Sequence, residues 1–317
     1  MRQTMIQTSH FSYPSSDGLH TIHVQEWIPE GSPRGVVQIV HGVAEHIGRY
    51  DSAARFLASH GYLVCGGDHL GHGLTAGGTF GYFGPRRGWD LVAGDVRRLR
   101  ELEGEKFSAL PYVILGHSMG SFLTRTYLIR WPGTVSAAVL SGTGQEPALL
   151  VAGARALTSV LCALRGPDHV SDLVYDLALG AYNRAFQPNR TSADWLSRDE
   201  AMVDAYLADP LCTFKPTVGM FRDMMEGLQS IADRRELAKM DRDAPVCFIS
   251  GSRDPVGAMG AGVRKVERMF RSAGCRDVTV ALYPGGRHEM LHETNCQEVL
   301  DDLLAWLERK LSAPPRR

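Results

Sequence analysis

Short runs of apolar and β-branched residues recur along the chain at 7–13, 20–28, 36–41, 62–66, 112–116, 137–141, 246–250 and 278–283. Runs of this length, bounded by turn-forming residues, read as β-strands. The first two are joined by Pro14-Ser15-Ser16-Asp17-Gly18, a turn cluster short enough for an antiparallel hairpin. From Val36 onward the strands alternate with helical periodicity. One helix is predicted over 51–60, stopped by Gly61, and another over 89–102, with Leu91, Val92, Val96 and Leu99 on one face and Gly104 after it. A third covers 119–131 and ends at Pro132-Gly133. Val263, Val266, Met269 and Phe270 space a helix before the last strand, and Val299, Leu300, Leu303, Leu304 and Leu307 space one after it. Strand and helix in alternation predict βαβ units, and so an α/β fold: one doubly wound, mostly parallel, eight-stranded sheet with helices on both faces.

Between Gly142 and about Met240 the alternation stops. The stretch has helical segments and bulky apolar residues, among them Trp195, Tyr206, Leu207, Phe214, Met220, Phe221, Met224 and Met225. Residues 1–141 and 241–317 are therefore predicted to form the two parts of one core, and 142–240 a helical cap inserted between the sixth and seventh strands. Ordinary helix packing would account for each bulky residue. The position of the insertion, over the carboxyl edge of the sheet, makes an apolar substrate pocket under the cap the sharper expectation, with Met220 and Met224 in its lining.

Composition narrows the field. The 317 residues carry a formal net charge of -1, which offers no basic stripe for nucleic acid or for an anionic membrane surface. Six cysteines at 65, 162, 212, 247, 275 and 296 lack C-x-x-C pairing and read as free thiols suited to a reducing compartment. The first ten residues lack an apolar leader core, and no unbroken apolar run reaches the roughly 18 residues of a bilayer span. A cytoplasmic protein is expected, with a frayed tail over 312–317.

The candidate chemistry starts at the fifth strand. It runs into Gly116-His117-Ser118-Met119-Gly120 and then directly into a helical pattern. The small residues let strand and helix backbones approach closely around a sharp turn with Ser118 at its apex. A serine hydroxyl attacks only when a base takes its proton, and the N–H of Met119, at the helix start, is available to a developing oxyanion. Base and acid should follow later strands at the same edge. The seventh strand ends in Gly251-Ser252-Arg253-Asp254 and the eighth in Pro284-Gly285-Gly286-Arg287-His288. Alone, Asp254 reads as a loop or helix-cap aspartate and His288 as one of twelve histidines; in order, on successive strand ends, they complete a Ser118, Asp254, His288 set. Asp243 and Asp277 precede their strands and belong to the opposite edge.

The loop after the third strand, His41-Gly42-Val43-Ala44-Glu45-His46, should supply a second oxyanion donor, the N–H of Val43. His41 is expected to bridge loop backbones. Glu45, His46 and Arg49 would line a polar recess for a leaving alcohol, or else pair with one another; Glu45 and Arg49 are the candidate substrate contacts.

With these residues in view, His41-Gly42-Val43-Ala44-Glu45-His46-Ile47-Gly48-Arg49-Tyr50, Asp68-His69-Leu70-Gly71-His72-Gly73, Gly116-His117-Ser118-Met119-Gly120 and the Asp254 and His288 loops resemble the monoacylglycerol lipase and lysophospholipase group of α/β-hydrolases. Asp209-Pro210-Leu211-Cys212, with Met220-Phe221 and Gly227-Leu228, is similar to the cap of bacterial members. The likeness spans nearly the whole chain. Ile47, where a small polar residue is usual, and Thr75, where Ser is frequent, depart from it, and Ile47 is expected to reshape the recess beside Glu45. The resemblance implies a carboxylic ester hydrolase without cofactor or metal, acting on a small lipid ester through Ser118, His288 and Asp254, with Val43 and Met119 at the oxyanion. Monoacylglycerols or lysophospholipids would be its substrates, and transient contact of the cap with a membrane surface is expected. A capped peptidase or amidase using the same triad, or a non-enzymatic receptor on the same fold, are the competing readings.

Two motifs point elsewhere. His288-Glu289-Met290-Leu291-His292 matches the H-E-x-x-H zinc pattern, but it follows Pro284-Gly285-Gly286 and so lies on a loop, whereas the zinc motif needs a helix. Gly71-His72-Gly73-Leu74-Thr75-Ala76 fits G-x-G-x-x-A, but opens no helix whose N-terminus would hold a pyrophosphate.

Overall fold

The computed structural model describes residues 6–311, so the expected tail over 312–317 lies outside the described residues. All eight predicted strands form, as β1 (Gln7–Pro14), β2 (Thr21–Ile28), β3 (Gly35–Val40), β4 (Tyr62–Gly67), β5 (Tyr112–His117), β6 (Ala137–Ser141), β7 (Val246–Gly251) and β8 (Val278–Tyr283). They make one sheet in the order β1-β2-β4-β3-β5-β6-β7-β8. The β1/β2 hairpin is antiparallel from Gln7 opposite Ile28 to Pro14 opposite Thr21, and β2 meets β4 antiparallel; from β4 to β8 every pairing is parallel. β3, β4, β5, β6 and β7 are buried along their whole length, which is why their sequences read as continuous apolar runs.

Helices cover both faces. α1 (Asp51–Ser59) packs through Ala53, Ala54 and Leu57 on one face. α2 (Gly88–Lys106) and α3 (Met119–Arg130) lie on the other. The cap contributes α4 (Ala148–Arg165), α5 (Asp172–Ala178), α6 (Glu200–Ala208), α7 (Val218–Ser230) and α8 (Arg234–Leu237). α9 (Ala261–Ser272) returns to the face of α2 and α3, and α10 (Cys296–Leu311) to the face of α1. α2 runs past the end predicted for it. Gly104 costs that helix about 1 kcal/mol, but buried Glu103 and the Lys106–Glu103 bond at 2.7 Å hold its last turn, and Phe107 donates its N–H to the Glu103 carbonyl.

The cap has no separate core of its own at α7. Met220, Phe221, Met224 and Leu228 are buried in one apolar cluster with Trp89 of α2, Leu123 of α3 and Met119 beside the apex serine. α4 is the opposite case. By length and composition it is long and apolar enough to cross a membrane, and only 11% of it is buried. This corrects the expectation drawn from unbroken apolar runs: Arg155, Thr158 and Ser159 interrupt α4, yet its average remains apolar.

The outgoing crossing and the turn after α7 converge on Arg125 of α3, which is 0% exposed. Its guanidinium donates to the Gly144 carbonyl and to Gln145 Oε1, at 2.9 and 2.8 Å, on the outgoing crossing, and to the Ile231 carbonyl at 3.4 Å, in the turn between α7 and α8. Burial lowers its pKa to about 9, so it stays charged at neutral pH. Arg125→Ala leaves those buried acceptors unsatisfied. A loss of about 1–3 kcal/mol is expected, read as a lower denaturant midpoint; an unchanged midpoint would show that these acceptors do without it.

Candidate active site

Chain order and sheet order part at β3: β4 lies to one side of it and β5 to the other. Their carboxyl ends therefore diverge there and leave a crevice, the place where doubly wound sheets hold ligands. The parallel register puts Val40 opposite Gly116, His117 opposite Ser141, and Gly251 opposite Tyr283, so the loops after β3, β5, β6, β7 and β8 leave one rim together.

Ser118 occupies the turn from β5 to α3 with φ 53° and ψ -121°, a backbone state that favours glycine. Close packing imposes it. A Cβ on Gly120 would strike the Val40 carbonyl oxygen, and one on Gly116 would strike the Gly120 backbone and Thr124. Ser118 is 8% exposed, and its own N–H donates to the Ser141 carbonyl at 2.9 Å.

The predicted base and acid are in contact. His288 Nδ1 donates to Asp254 Oδ1 at 3.0 Å; the same oxygen accepts the Val256 N–H at 2.9 Å and Asp254 Oδ2 accepts the Ser250 hydroxyl at 3.2 Å. These bonds hold the imidazole with its proton on Nδ1. Nε2 is left buried with no hydrogen-bond partner among the described residues. The ring lies 4.7 Å, centroid to centroid, from that of His117, the residue before Ser118, and a Cβ at Gly142 would touch both. Serine and imidazole are thus neighbours through His117, without a hydrogen bond between them; such bonds often close only when substrate is bound. Burial opposes a charge on His288, but the Asp254 carboxylate and its hydrogen bond outweigh it and raise the pKa above the ordinary 6.5. His117, buried beside a chargeable His288, is pushed down to about 4 and stays neutral.

Beyond β3, the Gly42 N–H donates to Glu45 Oε1, which also accepts the Tyr50 hydroxyl at 2.8 Å. That carboxylate shapes the loop carrying Val43. Among the described residues neither the Val43 nor the Met119 N–H has a protein acceptor. His41 bridges loop backbones as expected: Nδ1 donates to the Gly42 carbonyl and Nε2 accepts the His69 N–H. Burial and the neighbouring His69 and His72 keep it uncharged.

Three expectations need correction. Glu45 and Arg49 do not line an open recess. Arg49 is bonded to Glu45 at 2.8 Å and to both oxygens of Glu289 at 2.6 and 2.8 Å, and its guanidinium stacks on Tyr206 at 4.9 Å. A buried guanidinium needs its full set of acceptors, and two carboxylates from separate loops supply them. The result is a clamp between the Val43 loop and the His288 loop. Met220 and Met224 are 1% and 7% exposed and pack into the shared core, so they belong to the wall behind α3. Ile47 turns its side chain onto Gly66 in the opposite core, away from Glu45.

Sequence reasoning passed over Glu289, which anchors the His288 loop, and the role of Trp195. The Trp195 ring lies 4.9 Å from that of His288, and its carbonyl and that of Leu196 accept the His288 and Glu289 N–H groups. The pair Arg49 and Glu289 carried a signal, two opposite charges on loops already assigned to one rim. Trp195 carried none, since one aromatic residue in a helical insertion has no address.

The residues do not suit a resident metal. His292 gives Nδ1 to Glu289 and Nε2 to the Arg49 carbonyl, so it does not converge with His288. His46, Asp209 and Cys212 offer ligand atoms within 4.8 Å of one another. But His46 Nδ1 accepts the Gly48 N–H, which leaves the proton on Nε2, donated to Asp209 at 2.9 Å. Burial also raises the Cys212 thiol pKa. The Gly71–Gly73 turn wraps the Asp68 carboxylate, which accepts the N–H groups of Ile47 and Leu74.

Comparison with known proteins agrees with this architecture. A family model described as "Serine aminopeptidase, S33" matches residues 31–295. The chain is 31% identical over 302 residues to a monoacylglycerol lipase of Mycolicibacterium smegmatis, covering 94% of this chain and 96% of that one. It is 26% identical over 303 residues to the monoglyceride lipase of Homo sapiens, covering 93% and 89%. Among solved structures, a thermostable carboxyl esterase from Bacillus coagulans in complex with glycerol superposes with a TM-score of 0.90 at 27% identity, over 97% of this chain and all of the other. The strained serine turn, the paired Asp254 and His288 on one sheet rim, and a family match from β3 through the cap to the His288 loop together identify the chain as a serine ester hydrolase belonging to the serine aminopeptidase S33 family of α/β-hydrolases, in its monoacylglycerol lipase group.

Proposed function

We propose that the chain hydrolyses monoacylglycerols, and related single-chain esters such as lysophospholipids, through Ser118, His288 and Asp254. The observation that carries the reading is the Asp254–His288 pair, whose buried Nε2 has no other occupation and whose ring packs against His117, the residue before the strained Ser118. His288 Nε2 takes the Ser118 proton as the hydroxyl oxygen attacks the ester carbonyl, and the Val43 and Met119 N–H groups receive the negative oxygen. The intermediate collapses with cleavage of the bond to the alcohol, which leaves with the proton from His288. Water then attacks the acyl-enzyme, again giving its proton to His288, and the acid departs as Ser118 is reprotonated. No cofactor enters any step.

The substrate class rests on the names carried by the relatives from Mycolicibacterium smegmatis and Homo sapiens. The outward apolar face of α4, with Leu150, Leu157, Val160 and Leu164 exposed, suits a transient contact of the cap with a lipid surface. Six free cysteines suit the reducing cytoplasm proposed for it. The family description raises a peptidase, which would need a free carboxylate for a substrate ammonium. Around the site Glu45, Asp209 and Glu289 are already paired, and Glu146, which makes no ion pair among the described residues, lines the cleft at the root of the cap. A hydrolysis screen of monoacylglycerols, lysophospholipids, p-nitrophenyl esters from C2 to C16 and aminoacyl p-nitroanilides tests the assignment. Monoacylglycerol and long-chain ester turnover is expected to dominate; a sharp C2 optimum or faster anilide cleavage would overturn it.

Neutral His288 is the active form, and its pKa is raised. Below that pKa the ring is protonated and cannot accept the serine proton. The acid limb of kcat/KM should therefore have its midpoint above 6.5 and fall about tenfold per pH unit below it. A profile flat from about pH 5 to 8 would contradict His288 as the base.

A further inference from the structure

A cleft of about 1100 Å³ lies at the root of the cap, between the first turns of α4, the end of α7, α8 and one face of α9. None of Ser118, Asp254 and His288 lines it. Its walls are aliphatic, from Leu149, Val151, Leu228, Leu237 and Met269, and contain no aromatic ring. Its charge is lopsided, with Arg234, Arg242, Lys265 and Arg268 against Glu146 and Asp233.

The cations are also idle. On α9 the flanking Arg264 and Arg271 share Glu267, at 3.0 and 3.1 Å, whereas Arg268 makes no ion pair among the described residues. Arg234 and Arg242 make none either, and Lys265 bonds only to the Gln145 and Glu146 carbonyls. Asp233 is occupied in capping α8 through the Arg235 N–H. Aliphatic walls together with three unpaired guanidinium groups, against the single unpaired carboxylate of Glu146, suit a hydrocarbon chain ending in an anion. The lack of aromatic surface disfavours a nucleotide or other ring-bearing anion.

We propose that this cleft is a second ligand site, which takes a free long-chain fatty carboxylate with its chain along α4 and α7 and its anion between Arg234 and Arg268. The occupant bridges the cap and α9 of the core, beside the Gln145 crossing that Arg125 and Lys265 hold. The inference stands on the cleft and not on the assigned substrate, and it is tested without turnover.

Ser118→Ala protein is titrated calorimetrically with decanoate at monomeric concentrations, with 1-decanol as the neutral probe. Saturable binding of decanoate is expected, about tenfold weaker for decanol and for Arg234→Gln/Arg268→Gln. The single substitutions Arg234→Gln and Arg268→Gln, with melting curves, separate lost charge from lost fold. Wild-type protein phosphonylated at Ser118 is expected to bind decanoate unchanged. Binding that phosphonylation abolishes, or that the substitutions leave intact, would put the carboxylate in the catalytic pocket and overturn the proposal. So would Arg-dependent binding to vesicles containing anionic phospholipid without binding of monomeric decanoate, which would make the cleft a membrane contact.

Discussion

Ser118→Ala is expected to lower kcat on the best ester by roughly 10⁴–10⁶-fold, to the residual rate that substrate binding and oxyanion donors supply without a nucleophile. Labelling by a fluorophosphonate should disappear with it. KM should change little, because the hydroxyl makes no contact that the ground state needs. The backbone adds a second readout. Alanine keeps the strained φ of 53° while glycine adopts it freely, so Ser118→Gly, equally inactive, should be more stable than Ser118→Ala by about 1 kcal/mol. Activity within tenfold of wild type in either variant would remove Ser118 from the mechanism.

Asp254→Asn should be nearly as damaging, with kcat at neutral pH down about 10⁴-fold. The substitution keeps the shape and removes the charge. Asparagine can turn its amide NH₂ toward His288, which would then carry its proton on Nε2, where it cannot accept one from Ser118. The pH profile separates this from a misfolded loop. Asp254 is the group that raises the His288 pKa against burial; without its charge, burial wins, and the acid limb of the residual activity should move below 6.5. An unchanged limb, or a loss under tenfold, would mean that another carboxylate orients the ring.

How much of this was legible follows from where each signal is stored. Strands β3 to β7 are buried from end to end, so each is an uninterrupted apolar run, and their predicted boundaries fall within a residue of those observed. The end of α2 was missed because the side chains that hold its last turn, Glu103 and Lys106, outweigh a glycine, and a turn-breaker says nothing of its neighbours' bonds. The cap was legible as an insertion but not as packing: Met220 and Met224 lie on an apolar helix face whether it meets substrate or core, and the pattern is the same in both cases.

The sequence by itself determined the doubly wound sheet, the turn that strains Ser118, and the order of acid and base along successive strand ends. Each is written in contiguous residues: a run of apolar positions, a pair of glycines too close to other backbone to carry a side chain, a loop directly after a strand. Only the tertiary structure decided that Arg49 clamps the Val43 loop to the His288 loop instead of facing substrate, that Trp195 lies against the imidazole, and that Arg125 joins the start of the cap to the turn after α7. A buried charge takes whichever partners the fold brings within about 3 Å. For Arg49 and Glu289 those partners are 240 residues apart in the chain, and local pattern carries no record of such a meeting.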